Sequence, residues 1–72
     1  MDIILDDMPK LIEEEARDAI KYARLALEHR ADHPGLSDLF IQLSGEELKH
    51  MQMIAEKLAD MIGKIRTQYN NA

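Results

Sequence analysis

Three side chains have the types and the spacing needed to bind a divalent metal ion. Glu47 and His50 are three residues apart, so on a helix they occupy adjacent turns and can offer an oxygen and a nitrogen to one ion. Glu15 lies among apolar residues in an earlier segment. Because an uncompensated carboxylate is costly to bury, acids on apolar faces favour a cation as their partner. The sequence therefore predicts that Glu15, Glu47 and His50 bind metal.

Two helices are predicted to position these residues. Asp6, Asp7 and Pro9 mark a helix start, and no Gly or Pro follows until the turn formers around Pro34. Asp32 or Ser37 is expected to cap the second helix. The prediction is a single domain over residues 1–72, with helix 1 at about 8–30, a turn at about 31–35 and helix 2 at about 36–67. The fold class is all-α, an antiparallel two-helix hairpin.

Helical periodicity assigns the metal-binding candidates to apolar faces. On helix 1, Glu15 shares the apolar stripe of Met8 and Tyr22. On helix 2, Glu47 lies at the centre of an apolar arc of roughly 200° and His50 lies inside its edge. One neighbouring helix cannot cover so wide an arc. Dimerisation into a four-helix bundle is therefore predicted.

Antiparallel geometry predicts that the three residues lie at one height. The turn is centred near residues 32–33. The number of residues from Glu15 to the turn is about the same as the number from the turn to Glu47 and His50. A two-fold axis would bring together two copies of each residue, which is the set of ligands found in carboxylate-bridged two-metal bundles. Four carboxylates would balance the charge of two divalent ions.

Other ligand-type residues are expected to have structural roles. His29 and His33 straddle the predicted helix end and turn, where histidines are commonly solvated. Met51 and Met61 are expected to pack in the core, because thioethers are adaptable apolar groups.

Composition excludes several classes of function. The 72 residues include 14 acidic and 9 basic ones, giving a net charge of −5, which is the wrong sign for a nucleic-acid-binding face. There is no cysteine, so disulfides and thiolate metal sites are ruled out. No apolar run is long enough for a membrane span or a signal-peptide core. A cytoplasmic protein without nucleic-acid or membrane partners is expected.

These residues resemble one half of the ferritin/rubrerythrin superfamily. The resemblance rests on Glu15 and Tyr22 in the first helix and on the Glu47-x-x-His50 motif in the second, and it covers nearly the whole chain. The sequence looks most like the encapsulated-ferritin type and short rubrerythrin-like proteins, in which two-helix subunits dimerise to complete the site. The implied cofactor is two iron ions per dimer, with manganese or zinc as alternatives. Tyr22 would support the metal ligands through a hydrogen bond or act as a redox-active neighbour, and its alternative role is that of a plain core aromatic.

The resemblance implies a ferroxidase-type or peroxidase-type di-iron oxidoreductase, acting as a homodimer or a higher oligomer. It identifies no catalytic residue beyond the ligands. Gly45 departs from the pattern, and it is expected to loosen the ligands or to mark a local bulge. The cysteines of the rubrerythrin electron-donating domain are missing, and nothing resembles a targeting extension, so encapsulation is not expected. The alternative is a non-enzymatic helical dimerisation module with a vestigial or purely structural metal site.

Overall fold

The protein is an all-helical hairpin. A computed structural model describes the backbone of residues 2–70 and the side chains of residues 6–69. Helix α1 spans Asp2–His29 and helix α2 spans Pro34–Asn70, and the described residues contain no strand. The rod formed by the two helices is 61 Å long and 16 Å by 11 Å across. No helix in the described part of the chain is long and apolar enough to cross a membrane.

Helix α1 begins earlier than the sequence predicts. It starts at Asp2 instead of near Met8, and Pro9 therefore lies inside the helix. Proline removes one backbone hydrogen bond and crowds the carbonyl four residues before it. Pro9 is exposed, so solvent can satisfy the carbonyl that loses its partner.

Helix α2 begins between Asp32 and Ser37, within two residues of the predicted start, but its expected caps and the expected bulge at Gly45 are absent. It starts at Pro34, a residue suited to the first helical turn because it has no N–H to satisfy. His33 precedes the helix and its carbonyl oxygen accepts the Ser37 N–H at 2.9 Å. Neither Asp32 nor Ser37 is therefore at the cap position, and Ser37 is buried inside the first turn. At Gly45 the helix continues without a break or a positive φ angle, so the expected bulge is absent.

Small residues let the two helices approach closely along a central seam. Ala19 and Ala26 are only 4% exposed, and Ser37 is 2% exposed. The Ser37 hydroxyl donates a 2.7 Å hydrogen bond to the Ala26 carbonyl oxygen. One heptad further along, the Ser44 hydroxyl donates a 2.7 Å hydrogen bond to the Ala19 carbonyl oxygen. These crossing bonds fix the antiparallel alignment of the helices, since each links a backbone carbonyl to one defined turn of the other helix.

Alternating steps of three and four residues define which side chains face the seam. This spacing is typical of a left-handed coiled coil. Every seam position is buried or half-buried. The seam positions are Met8, Ile12, Glu15, Ala19, Tyr22, Ala26 and His29 on α1, and Ser37, Phe40, Ser44, Glu47, Met51, Ile54, Leu58, Met61 and Ile65 on α2. Glu15 and Glu47 thus occupy core positions of the hairpin.

The hairpin leaves many apolar side chains exposed. Leu11, Leu36 and Leu39 are 45%, 38% and 47% exposed, although periodicity placed them on inward-facing arcs. A single neighbouring helix covers only the centre of each arc. Exposed apolar side chains of this kind are typical of a surface that binds other chains.

Candidate metal centre

The hairpin brings Glu15, Glu47 and His50 together across the seam, at the common height that their spacing predicts. His50 Nδ1 lies 3.4 Å from Glu15 Oε2 and 3.9 Å from Glu47 Oε2. One ligand atom from each residue lies within 4.8 Å of the other two. Two ligands about 2.1 Å from a shared ion can be at most about 4.2 Å apart, so both imidazole-to-carboxylate distances suit binding of a common ion.

The carboxylates are shielded from water more than the imidazole is. The Glu15 and Glu47 side chains are 25% and 19% exposed, whereas His50 is 53% exposed. Glu15 Oε2 is itself buried, and although it faces His50 Nδ1 at 3.4 Å it forms no well-aligned hydrogen bond. A buried oxygen without a hydrogen bond is costly, and a bound cation would compensate for that cost.

The nearby Glu15 carboxyl raises the pKa of Glu47 above its ordinary value. The largest cause is a side-chain hydrogen bond with Glu15, followed by desolvation of Glu47 and by repulsion from the Glu15 charge. His50 opposes this shift and Asp18 adds to it. The raised pKa means that Glu47 holds its proton to a higher pH than an isolated glutamate does, and a bound cation would compete with that proton.

We predict that this proton couples stability to pH in the metal-free protein. Because the pKa of Glu47 is raised on folding, its contribution to stability is present at low pH and is lost as pH rises through the raised pKa. Glu47→Gln should remove this contribution and leave the variant relatively more stable at neutral pH. Thermal melts in chelator between about pH 4 and 7 would measure the difference between wild type and variant.

Glu46→Gln is the matched control for this prediction. Glu46 is exposed and interacts with Gln42, one turn away on the same helix. The control should keep the wild-type pH dependence. Equal pH profiles for wild type and Glu47→Gln would contradict the coupling.

A cluster of aromatic side chains lies between the triad and the turn. The Tyr22 ring stacks on Phe40, with the ring centroids 6.1 Å apart, and His29 packs against the same Phe40 at 6.1 Å. Tyr22 lies seven residues, or about 10 Å of helix rise, from Glu15. The predicted support of the ligands by Tyr22 remains a prediction, since the observed contact of its ring is with Phe40.

The structure corrects the expectation for His29 and adds a contribution from Asp18 that the sequence interpretation overlooked. His29 is half-buried against Phe40, whereas a solvated His29–His33 pair was expected. The centroids of these two rings are 6.0 Å apart. Asp18 is exposed, as its assignment to the polar face predicts, and its charge also contributes to the raised pKa of Glu47. Its position three residues after Glu15 is the signal that could have identified it.

Comparisons with known proteins give no relative for this chain. No protein-family model matches it, and no curated protein or solved structure is significantly similar to it.

Proposed function

We propose that the protein binds a dinuclear metal centre between two copies of the hairpin and supports iron oxidation or peroxide reduction there. The observation that carries the proposal is the convergence of two largely shielded carboxylates and one imidazole, with one buried oxygen of Glu15 that forms no well-aligned hydrogen bond. The similarity to ferritin-like proteins inferred from the sequence adds the expectation of iron and of a four-helix bundle.

The donor set matches the chemistry of such a centre. When ionised, Glu15 and Glu47 supply two negative charges, which balance one divalent ion per chain, and His50 supplies a neutral imidazole nitrogen as ligand. Mixed oxygen and nitrogen ligands suit iron, and they also accept manganese or zinc. A pair of Fe(II) ions would supply two electrons to dioxygen or peroxide.

A second copy would complete the coordination. One chain offers three ligand residues, each with one donor atom. An ion that takes six ligands would therefore have only half of them from one chain. Two-fold assembly on the face that carries Leu11, Phe40 and Ile54 would bring two triads together and cover these apolar side chains. Four-helix di-iron bundles use one Glu from each of two helices and a Glu-x-x-His pair from each of the other two.

Anaerobic Fe(II) titration followed by exposure to air tests this proposal. We expect about one Fe(II) per chain, a mass corresponding to at least a dimer, and rapid growth of ferric near-ultraviolet absorbance on aeration. Glu15→Ala and His50→Ala should lose most of the binding, whereas Glu14→Gln, a change at an exposed neighbour, should retain it. Absence of stoichiometric Fe(II) binding to the wild-type protein would refute the proposal.

A non-enzymatic dimerisation module is the second candidate. The observation that favours it is the set of exposed aliphatic side chains along both helices, which calls for assembly whether or not metal binds. In that case Zn(II) or Mn(II) would stabilise the assembly, and bound iron would be oxidised no faster than free iron. The aeration step therefore separates a structural site from a redox centre.

A further inference from the structure

Two histidines lie one helical turn apart at the end of the hairpin where the helices are connected. His29 is the last residue of α1, and His33 immediately precedes α2. The His33 N–H donates a 2.8 Å hydrogen bond to the His29 carbonyl oxygen, so the chain completes one more helical turn beyond the end of α1. Residues four apart on such a turn project from the same side, which sets the two imidazoles beside each other.

The imidazole rings are close enough to share one metal ion. Their centroids are 6.0 Å apart and their planes are tilted by 45°. A metal–nitrogen bond of about 2.1 Å puts an ion about 3.2 Å from the ring centroid, so two rings on one ion have centroids at most about 6.4 Å apart. Bonds at a right angle would bring the centroids to about 4.5 Å. His33 is exposed, so its ring can make the movement of about 1.5 Å that this requires.

One of the two rings is already held in place. His29 is half-buried and packs against Phe40, with the ring centroids 6.1 Å apart, and Phe40 in turn stacks on Tyr22. These contacts restrict the His29 ring, so binding an ion costs less conformational entropy than it would for two unrestrained side chains. One fixed imidazole and one adjustable imidazole together suit chelation.

The surroundings of the two histidines favour a cation but add no further ligand. Residues 28–38 contain three acidic residues and one basic residue besides the histidines. In the part of the chain that the structure describes, the triad is the only group of three possible metal ligands. The histidines therefore offer two nitrogens, and water would take the other coordination positions.

The ligand type indicates which ion would bind. Imidazole suits copper, nickel and zinc, and Cu(II) binds most tightly among the divalent ions of the first transition row. Cu(II) and Ni(II) also prefer square-planar or tetragonal arrangements of nitrogen and oxygen, which two adjacent imidazoles and water can supply. Zn(II) follows Cu(II) in this series, and with only two ligands the histidines should hold it more weakly than the triad does.

We infer that His29 and His33 form a second metal site, which binds Cu(II) or Ni(II) through two imidazole nitrogens. The site is separate from the triad, because His29 lies 14 residues from Glu15, or about 21 Å of helix rise. It is complete within one chain and does not depend on the proposed dinuclear centre. A bound ion would link the end of α1 to the residue that precedes α2.

Titration of the Glu47→Gln variant with Cu(II) tests this site while the triad is weakened. We expect about one Cu(II) per chain, with an electron paramagnetic resonance spectrum that shows coupling to two nitrogens. The triad contains a single imidazole, so copper bound there would couple to only one nitrogen. Absence of a two-nitrogen signal would overturn the inference and would leave the proposed iron centre untouched.

His33→Asn, added to the Glu47→Gln variant, is the decisive substitution. Because His33 is exposed, helicity by circular dichroism should be kept, while the affinity for Cu(II) should fall by at least about tenfold and the two-nitrogen signal should disappear. Asp32→Asn, at the exposed neighbouring residue, is the matched control and should keep both the affinity and the signal. A signal that survives His33→Asn, or an equal loss of affinity in the two variants, would contradict binding by the histidines.

Discussion

Saturation with Mn(II) or Zn(II) should raise the melting temperature of the wild-type protein by about 10–20 °C. The melting temperature of Glu47→Gln should hardly change when the metal is added. Ligand at a hundred times its dissociation constant contributes about 2.7 kcal/mol, and each kcal/mol shifts the melting temperature of a domain this small by about 4–8 °C. The substituted glutamine would retain the side-chain volume but lose the charge that balances the cation. The measurement is thermal unfolding followed by circular dichroism, with and without metal.

The controls separate a specific site from general binding of cations to an acidic chain. Glu14→Gln and Glu46→Gln each remove one exposed negative charge adjacent in sequence to a proposed ligand. Both should keep the metal-induced shift. If all variants respond to metal alike, the ion is held by diffuse charge and the triad has no special role.

Ala26→Leu should destabilise the hairpin by about 2–4 kcal/mol, enough to unfold much of so small a protein. Ala26 is 4% exposed and its carbonyl accepts the Ser37 hydroxyl. The larger leucine side chain at this position would force the helices apart and break that hydrogen bond. Urea unfolding followed by circular dichroism measures the loss.

Ala59→Leu is the comparison for this overpacking prediction. It makes the same chemical change at an exposed position of α2, where leucine meets solvent instead of a helix. We expect a change within about 0.5 kcal/mol. Similar losses for the two variants would mean that the close approach of the helices at Ala26 contributes little.

Much of this architecture could be predicted from local sequence signals. The lack of breakers between Lys10 and His29, followed by Pro34-Gly35, identifies two helices and one connection. Equal distances from that connection predict that Glu15 meets Glu47 and His50, and the observed distances agree. The antiparallel hairpin makes this inference reliable because helix rise is nearly constant.

Contacts between the two helices explain the features that local sequence signals did not predict. Capping preferences favoured Ser37 or Asp32 at the start of α2, but Ser37 instead donates to α1 across the seam. Turn chemistry favoured a helix start beside Pro9, yet α1 continues through it. Periodicity also identified apolar arcs wider than the seam, because it cannot tell which part of a wide arc the neighbouring helix covers.

The four residues between the helices determine whether the metal-binding candidates meet at all. Residues 30–33 connect α1 to α2, and with only four residues available the end of α1 and the start of α2 must lie side by side. Ser37 and Ser44 then reach the Ala26 and Ala19 carbonyl oxygens, and further along the same helix Glu47 and His50 reach Glu15. The short length of a connection that touches none of the ligands therefore helps to set the alignment on which the site depends.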